Sequence, residues 1–452
     1  MGVIDGRRVT WAAAIVAGVF LGVVYALSPL TVLCLAGMAG IVWWARRGLD
    51  GDERRWLTAI LVVAIVMRVL AVAGLFAVTD HARVSFGSFF GDEQYFIKRS
   101  MWLRNVALGI PMHGADLIYA FDEYSATTYL YVLAFIQVLL GPAPYGVHLL
   151  GIAFHLAALV VLYRLVRSTL GRIPAIIGLV ALVFLPTQFA WSVSALKDPL
   201  FFLLTAASVV LATKVIRGPG WRTRALSGVV VIVLALALES VRQAGGLLSA
   251  AGVLGGLLIA LIVQRPRLLL ASVVALPIAI GAMLSHPSAQ LGAYQVVQAA
   301  ARQHWGHVAT PGYVYKLLDP RFYPDRSEIS DMQFGEAARF AGRAVERYVT
   351  VPWPWEAQSS SALLYMPEQL VWLVLVLLAP PGLVLAMRRD ALVASLLFAH
   401  AIVAGLTVAL ASGNVGTLVR HRGLALPYFV WLSAVALCDV VTLIRADHPA
   451  SA

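Results

Sequence analysis

Apolar runs of about 17–23 residues, separated by shorter polar segments, recur along the whole chain. A helix needs roughly 20 apolar residues to cross the hydrocarbon core of a bilayer. Charged residues make up only 13% of the sequence and hydrophobic residues 60%, whereas a soluble domain averages roughly 25% charged residues. Because backbone polar groups within a bilayer must be paired inside their own segment, these runs predict an all-α polytopic membrane protein.

Basic residues mark one side of the predicted membrane. Arginines and lysines follow several of the apolar runs, and such clusters near helix ends favour the cytoplasm. Their alternation predicts about eleven crossings, with both termini cytoplasmic. Residues 127–140 are short for a crossing, so we expect a juxtamembrane or re-entrant helix there. The formal charge of +11 indicates contact with anionic lipid headgroups, and no nucleic-acid-binding pattern accompanies it.

The order of apolar and polar segments divides the chain into four regions. These are an N-terminal helical hairpin with a cytoplasmic loop (1–56), a transmembrane module with a first outer loop at 80–125 (57–285), a polar outer region (286–368) and the C-terminal transmembrane helices (369–452). The polar outer region predicts a cap of short helices over the membrane, one of them amphipathic with its N-cap at Ser330. Arg68 lies within an apolar run and needs a partner or a polar cavity.

Two adjacent carboxylates, Asp92 and Glu93, open the polar segment that follows the apolar run 57–78. A carboxylate pair next to a glycine at a membrane surface is suited to acid–base chemistry or to binding a divalent metal. The alternative is that both are solvated loop charges. Spacing alone does not separate these two interpretations.

Other polar residues collect in the segments assigned to the outer face. Lys197 and Asp198 precede a predicted helix that starts at Pro199, where Asp198 could act in catalysis or simply cap the helix. Glu239 and Arg242 are secondary candidates, and their spacing is typical of an i,i+3 pair at a helix end.

The last outer loop holds Arg420, His421 and Arg422, against the usual charge bias. Arginine's planar fork matches phosphate oxygens, so we expect an anion site there, with snorkelling to lipid headgroups as the alternative. Carboxylates on one outer loop and cations on another predict a membrane enzyme whose substrate carries a phosphate at the membrane surface. A lipid-linked phosphate is the obvious class.

Several short motifs between residues 91 and 217, under a third of the chain, carry a family resemblance. In order they are Asp92-Glu93-Gln94-Tyr95, Leu139-Leu140-Gly141, the segment 163–172, Phe184-Leu185-Pro186 and Lys197-Asp198-Pro199-Leu200-Phe201-Phe202. In order and spacing this stretch resembles the bacterial members of the dolichyl-phosphate-mannose protein mannosyltransferase family, which includes the lipid A aminoarabinose transferases. Two features depart from that family. An extra hairpin precedes the acidic pair, and residues 124–128 replace a proline-rich motif.

The resemblance implies a GT-C-like bundle of transmembrane helices with juxtamembrane helices, acting as a glycosyltransferase at the outer face of the cell membrane. Its donor would be a polyprenyl-phosphate sugar, and its acceptor a cell-envelope glycan, lipid or protein. Carried onto this sequence, Asp92 is the general base, Glu93 its neighbour or substitute, and Asp198 the second acidic position. We expect Lys197, Arg420, His421 and Arg422 to bind the donor phosphate. No cofactor is certain; a divalent metal could be held by Asp92, Glu93 and Asp198, although related enzymes often need none.

Three alternatives share this architecture. A lipid-linked glycan transporter or flippase would place charged residues inside its helices, along a path. Here the polar residues lie mainly in the segments assigned to the outer face. A glycan polymerase or ligase would rely on arginines and a histidine of a large outer loop. A catalytically inactive scaffold of the cell envelope would tolerate substitution of Asp92.

Overall fold

The computed structural model describes residues 11, 14–20, 22, 28–121, 128–356 and 360–447. Within these ranges the protein is all-helical, and the β-type pairing is confined to one bridge between Val314 and Asn414. From residue 28 onward the α-helices are α1 (Pro29–Ala45), α2 (Gly51–Val78), α3 (Gly91–Ala107), α4 (Gly114–Ala120), α5 (Thr128–Leu140), α6 (Pro144–Thr169), α7 (Arg172–Phe184), α8 (Pro186–Ser192), α9 (Asp198–Arg217), α10 (Gly220–Val241), α11 (Gly245–Val263), α12 (Pro266–Ser285), α13 (Pro287–Val308), α14 (Phe334–Thr350), α15 (Ser360–Arg389), α16 (Ala391–Ala411), α17 (Val415–Arg422) and α18 (Leu426–Asp447).

Seven of the described helices are long and apolar enough to cross a membrane, namely α2, α6, α9, α10, α11, the Leu363–Arg389 part of α15, and α16. Two further pairs meet the same criterion together but are bent, α7 with α8 by 65° and α17 with the first part of α18 by 60°. Counting each bent pair as one span gives up to nine. The chain is therefore a multi-pass helical protein of the membrane-spanning type.

The expected count of about eleven crossings stays a prediction. The first predicted crossing, residues 11–27, falls partly outside the described residues. Helix α1 is apolar but has only 17 residues, and α12 qualifies only as a shorter apolar helix over Pro266–Ala279. Residues 127–140 contain the short helix α5, as expected for a segment that does not cross on its own.

The described chain divides into two compact units. The first unit consists of Met1–Leu162, Phe189–Ala207 and Leu236–Gly246. In its core α3 packs on α5, with apolar side chains of both helices fully or almost fully buried: Phe96, Ile97, Leu103, Tyr129, Leu130 and Leu133. A cluster of this kind holds α3 in place along one face, because residues three and four apart share a side of a helix.

The second unit consists of Tyr163–Gln188, Ser208–Ala235 and Leu247–Ala452. Its centre is α18, which packs against α7, α15 and α16 and buries Trp431 completely. Glycines permit this close approach. A Cβ at Gly382 would lie 2.1 Å from the carbonyl oxygen of Leu432, and one at Gly178 would lie 2.2 Å from the Trp431 ring. Larger residues at these two positions would push the helices apart.

The polar segment 286–368 contains helices, one of them the 22-residue α13, and the predicted N-cap is wrong. Ser330 lies within a 3₁₀ helix, Arg326–Asp331, and the amphipathic helix α14 begins at Phe334 with Gln333 as its N-cap. Glu336 completes a capping box by accepting the Gln333 N–H at 2.8 Å, and Arg321 also donates to its carboxylate. The capping box between Gln333 and Glu336 therefore sets the start of α14.

His304 of α13 ties this outer region to the end of α16. Its Nδ1 lies 2.7 Å from the Ser412 carbonyl oxygen, so Nδ1 carries the proton and donates it. Its Nε2 lies 3.2 Å from the Leu317 N–H and must accept that hydrogen bond without a proton. Burial lowers the pKa of His304 to about 4, in agreement with a neutral ring.

Candidate active site

The first unit gathers the acidic residues that the sequence singled out. Glu93 lies in the first turn of α3 and is completely buried. Its Oε1 accepts the backbone N–H of Phe90 at 3.1 Å, and its Oε2 accepts that of Phe89 at 3.3 Å. The carboxylate thus pairs the N–H groups that a helix start leaves without partners. Glu93 therefore closes the turn at residues 89 and 90 that leads into α3.

A buried histidine from α6 reinforces that turn. His148 Nδ1 lies 3.0 Å from the Val193 carbonyl oxygen and 3.5 Å from Glu93 Oε2. Its ring also meets the Phe89 ring edge-on, with the two centroids 5.7 Å apart. The imidazole therefore links the start of α3 to the segment that follows α8.

Asp92 has a different environment from its neighbour, since its side chain is exposed. Successive residues of a helix point about 100° apart, so Glu93 faces the interior while Asp92 faces outward. The residue expected to act as a base is thus the accessible member of the pair, and the buried member holds it in position.

The start of α9 contributes the second acidic position. Asp198 accepts a hydrogen bond from Arg242 at 2.7 Å, and both side chains are largely buried. The guanidinium of Arg242 also lies 5.5 Å from the centre of the Phe201 ring. Lys197, directly before Asp198, is partly exposed. An ion pair shielded from water in this way joins the first turn of α9 to the end of α10.

The expected pairing of Glu239 with Arg242 is not what the structure shows; the two residues have separate partners. Glu239 accepts the backbone N–H groups of Ala244 at 2.9 Å and of Gly246 at 3.0 Å. It therefore closes the turn between α10 and α11, where Ala244 has a left-handed φ of 62°. Arg242 is directed instead to Asp198, which is far away in sequence and close in space.

Tyr129 of α5 lies within electrostatic reach of both acidic positions. Burial raises the pKa of its hydroxyl, and the negative charges of Asp198 and Glu93 raise that pKa further. The hydroxyl lies 3.3 Å from the Ala195 carbonyl oxygen, to which it donates. Tyr129 thus ties α5 to the segment that leads into α9.

Aromatic rings line the same region. Phe90 and Trp191 stack with their ring centroids 4.0 Å apart and their planes 21° apart. Arg68 supports this segment from within the span α2, where it is fully buried. Its Nε donates to the Ser192 hydroxyl at 2.7 Å, and its guanidinium lies 4.9 Å from the Phe189 ring centre. The partner that the sequence required for Arg68 is therefore the short helix α8.

The cations predicted to bind phosphate are divided between the two units. Arg420, His421 and Arg422 lie in α17 of the second unit, where Arg420 and His421 are partly exposed. Arg422 is only 2% exposed and donates to Gln369 Oε1 at 2.7 Å, to the Val351 carbonyl oxygen at 2.5 Å and to the Tyr348 carbonyl oxygen. These contacts fix α17 against α14 and α15. Phosphate binding by the three residues stays a prediction.

The described residues do not bring three carboxylates together as a metal site. Among the residues that the structure describes, no three histidine, cysteine, aspartate or glutamate side chains are grouped so that they could hold a metal ion. Asp92, Glu93 and Asp198 would have supplied the oxygens. Both oxygens of Glu93 instead accept hydrogen bonds from backbone N–H groups, and Asp198 pairs with Arg242.

Sequence reasoning missed His148, Tyr129 and the Phe90–Trp191 stack. His148 is flanked by the apolar residues Val147 and Leu149, where a polar side chain is expensive unless it has a partner. That isolation was the available signal. The partners of His148 and Tyr129 lie 45 or more residues away along the chain, so the sequence did not reveal them.

Comparisons with known proteins add nothing to this picture. No protein-family model matches the chain, and neither the search of curated proteins nor the search of solved structures finds a match.

Proposed function

We propose that the protein is a membrane glycosyltransferase that moves a sugar from a polyprenyl-phosphate donor to an acceptor at the outer face of the cytoplasmic membrane. The observation that carries the proposal is the exposed carboxylate of Asp92 at the start of α3, the first helix after the span α2, next to the buried Glu93 that closes the turn into α3. A carboxylate held rigidly at a membrane surface is suited to act on a hydroxyl group there.

In the proposed reaction Asp92 accepts the proton of the acceptor hydroxyl as that oxygen attacks the anomeric carbon of the donor sugar. The new glycosidic bond forms while the bond from the anomeric carbon to the phosphate oxygen breaks, and the polyprenyl phosphate leaves with the electron pair. A single displacement of this kind inverts the anomeric carbon. Proton transfer to a positioned base contributes roughly 10²- to 10⁴-fold to a rate.

Charge on the departing phosphate needs a cation nearby. In the first unit Lys197 is the candidate, because it is partly exposed and adjacent to Asp198 at the start of a span. In the second unit Arg420 and His421 stay candidates for binding phosphate, whereas the contacts of Arg422 favour a role in holding α17. A positioned cation facing the developing charge lowers the barrier by several kcal/mol, on the order of what one oxyanion-hole donor supplies.

Glu93, Asp198, Arg242 and Glu239 serve in this proposal as positioning groups. Glu93 is enclosed and its oxygens are engaged, so it cannot replace Asp92 as a base without dismantling the turn. The Asp198–Arg242 pair joins the start of α9, next to Lys197, to the end of α10. The Glu239 contacts join the end of α10 to the start of α11.

The test is a transfer assay with full-length protein reconstituted in lipid, offered a panel of radiolabelled polyprenyl-phosphate sugars together with a cell-envelope extract that supplies acceptor hydroxyls. We expect label to pass from at least one polyprenyl phosphate to an acceptor, and the transferred sugar to have inverted anomeric configuration. Label that reaches the opposite side of a vesicle while still attached to the lipid would identify a flippase. An absence of both events with every donor would favour a scaffold and refute the proposal.

A further inference from the structure

A cavity of about 360 Å³ lies where α9 ends and α10 begins. Two cations, Lys214 and Arg222, and two hydroxyl side chains, Thr223 and Ser227, line it together with aliphatic residues that include Leu211 and Leu226. Its lining belongs entirely to the second unit, and none of these residues takes part in the proposed active site.

The cavity is positively charged, because Lys214 and Arg222 line it and no acidic residue is among the described residues that form it. The neighbouring cations are occupied elsewhere. Arg217 makes a two-pronged contact with Asp390, at 2.6 and 2.8 Å, and Arg224 donates to the Gly218 carbonyl oxygen at 3.0 Å. Lys214 and Arg222 therefore give the cavity its positive charge, and both residues are exposed.

The same cavity is also apolar along part of its wall. Leu226 is 66% exposed, and both α9 and α10 meet the length and hydropathy criteria for a membrane span. The turn between two spans lies at a membrane surface, where headgroups and the first carbons of acyl chains meet. A ligand that fits must carry a negative charge, accept hydrogen bonds from hydroxyls and continue into hydrocarbon.

We propose that this cavity binds the phosphodiester headgroup of an anionic phospholipid. Lys214 and Arg222 pair with the phosphate oxygens, Thr223 and Ser227 donate hydrogen bonds to the headgroup, and the acyl chains follow Leu211 and Leu226. Charge-assisted hydrogen bonds to phosphate are stronger than neutral ones, and basic pockets between spans are suited to lipid headgroups. The proposal is independent of the glycosyltransferase function.

The test is native mass spectrometry of the full-length protein in detergent, titrated with phosphatidylglycerol. We expect one phosphatidylglycerol molecule to bind in preference to phosphatidylcholine. The double variant Lys214→Gln/Arg222→Gln should weaken that binding roughly 30-fold, from the contribution of two cations near a membrane surface. The matched control Arg265→Gln/Arg267→Gln removes the same charge at another turn and should bind as the wild type does. Equal loss in both double variants, or no loss in the first, overturns the proposal.

Two further measurements separate a shaped site from simple attraction. Leu226→Trp adds volume beside the cavity without changing charge, and it should reduce phosphatidylglycerol binding several-fold while the protein keeps its wild-type unfolding temperature. Inorganic phosphate at the same concentration should leave lipid binding unchanged, because it lacks the acyl chains. Competition by inorganic phosphate as strong as that by phosphatidylglycerol would instead identify a free-phosphate site and refute the lipid assignment.

Discussion

Replacing Glu93 by alanine should destabilise the first unit much more than replacing the adjacent Asp92. The Glu93 carboxylate accepts two backbone N–H groups, from Phe89 and Phe90, and it is completely buried. Each buried donor left without a partner costs roughly 1–3 kcal/mol, so Glu93→Ala should lose about 2–6 kcal/mol of unfolding free energy. Asp92→Ala changes an exposed side chain and should lose about 1 kcal/mol or less.

The assay is denaturant unfolding of the purified protein in detergent, followed by tryptophan fluorescence. Trp191 stacks on Phe90, next to the turn that Glu93 closes, and it contributes to this signal together with the other eleven tryptophans. Glu93→Gln keeps one acceptor oxygen and should fall between alanine and the wild type. Equal stability of Glu93→Ala and Asp92→Ala would refute the division of roles between the two carboxylates.

A double-mutant cycle with Asp198→Asn and Arg242→Gln should give a coupling of about 1–3 kcal/mol in unfolding experiments, since the 2.7 Å pair is largely buried; additive losses would show that the pair is not formed. Arg68→Met should speed hydrogen exchange at the backbone of residues 189–192, because the Ser192 hydroxyl loses the guanidinium, while exchange in α16 stays as in the wild type. The wild-type protein should lose up to about 3 kcal/mol of stability as the pH falls from about 6.5 toward 4, because the pKa of His304 is about 4 in the folded protein and near its ordinary value when unfolded. Unfolding curves at pH 7 and pH 5 would check this loss of stability. The difference in unfolding free energy between the two pH values should be smaller in His304→Gln than in the wild type.

The helical architecture could be predicted from the sequence because a membrane span is a local property. Length and hydropathy alone identify segments such as α2 and α16, and neither depends on what the segment contacts. The bends were harder to anticipate. Residues 173–190 look continuous in hydropathy, yet the structure breaks them at Pro186, where the ring removes a backbone donor and ends α7.

The site could be predicted only in part, because its residue types are local but its contacts are not. The sequence identified Asp92, Glu93 and Asp198 as unusual carboxylates, but adjacent letters cannot show that one side chain is buried and the other exposed. The partner of Arg242 was assigned to the nearest carboxylate, Glu239, whereas the fold brings Asp198 to it from 44 residues away. Local spacing favours the nearer partner, and tertiary packing selected the more distant one.

The role of Asp92 is tested by comparing two aspartates of the segment 80–125 in the sugar-transfer assay. Asp92→Asn keeps the size of the side chain and removes the base, whereas Asp116→Asn makes the same change in the first turn of α4. The account predicts a 10²- to 10⁴-fold loss of transfer rate for Asp92→Asn, with donor binding retained, and wild-type transfer for Asp116→Asn. Transfer by Asp92→Asn at the wild-type rate would contradict the account, because the exposed carboxylate would then have no part in the reaction.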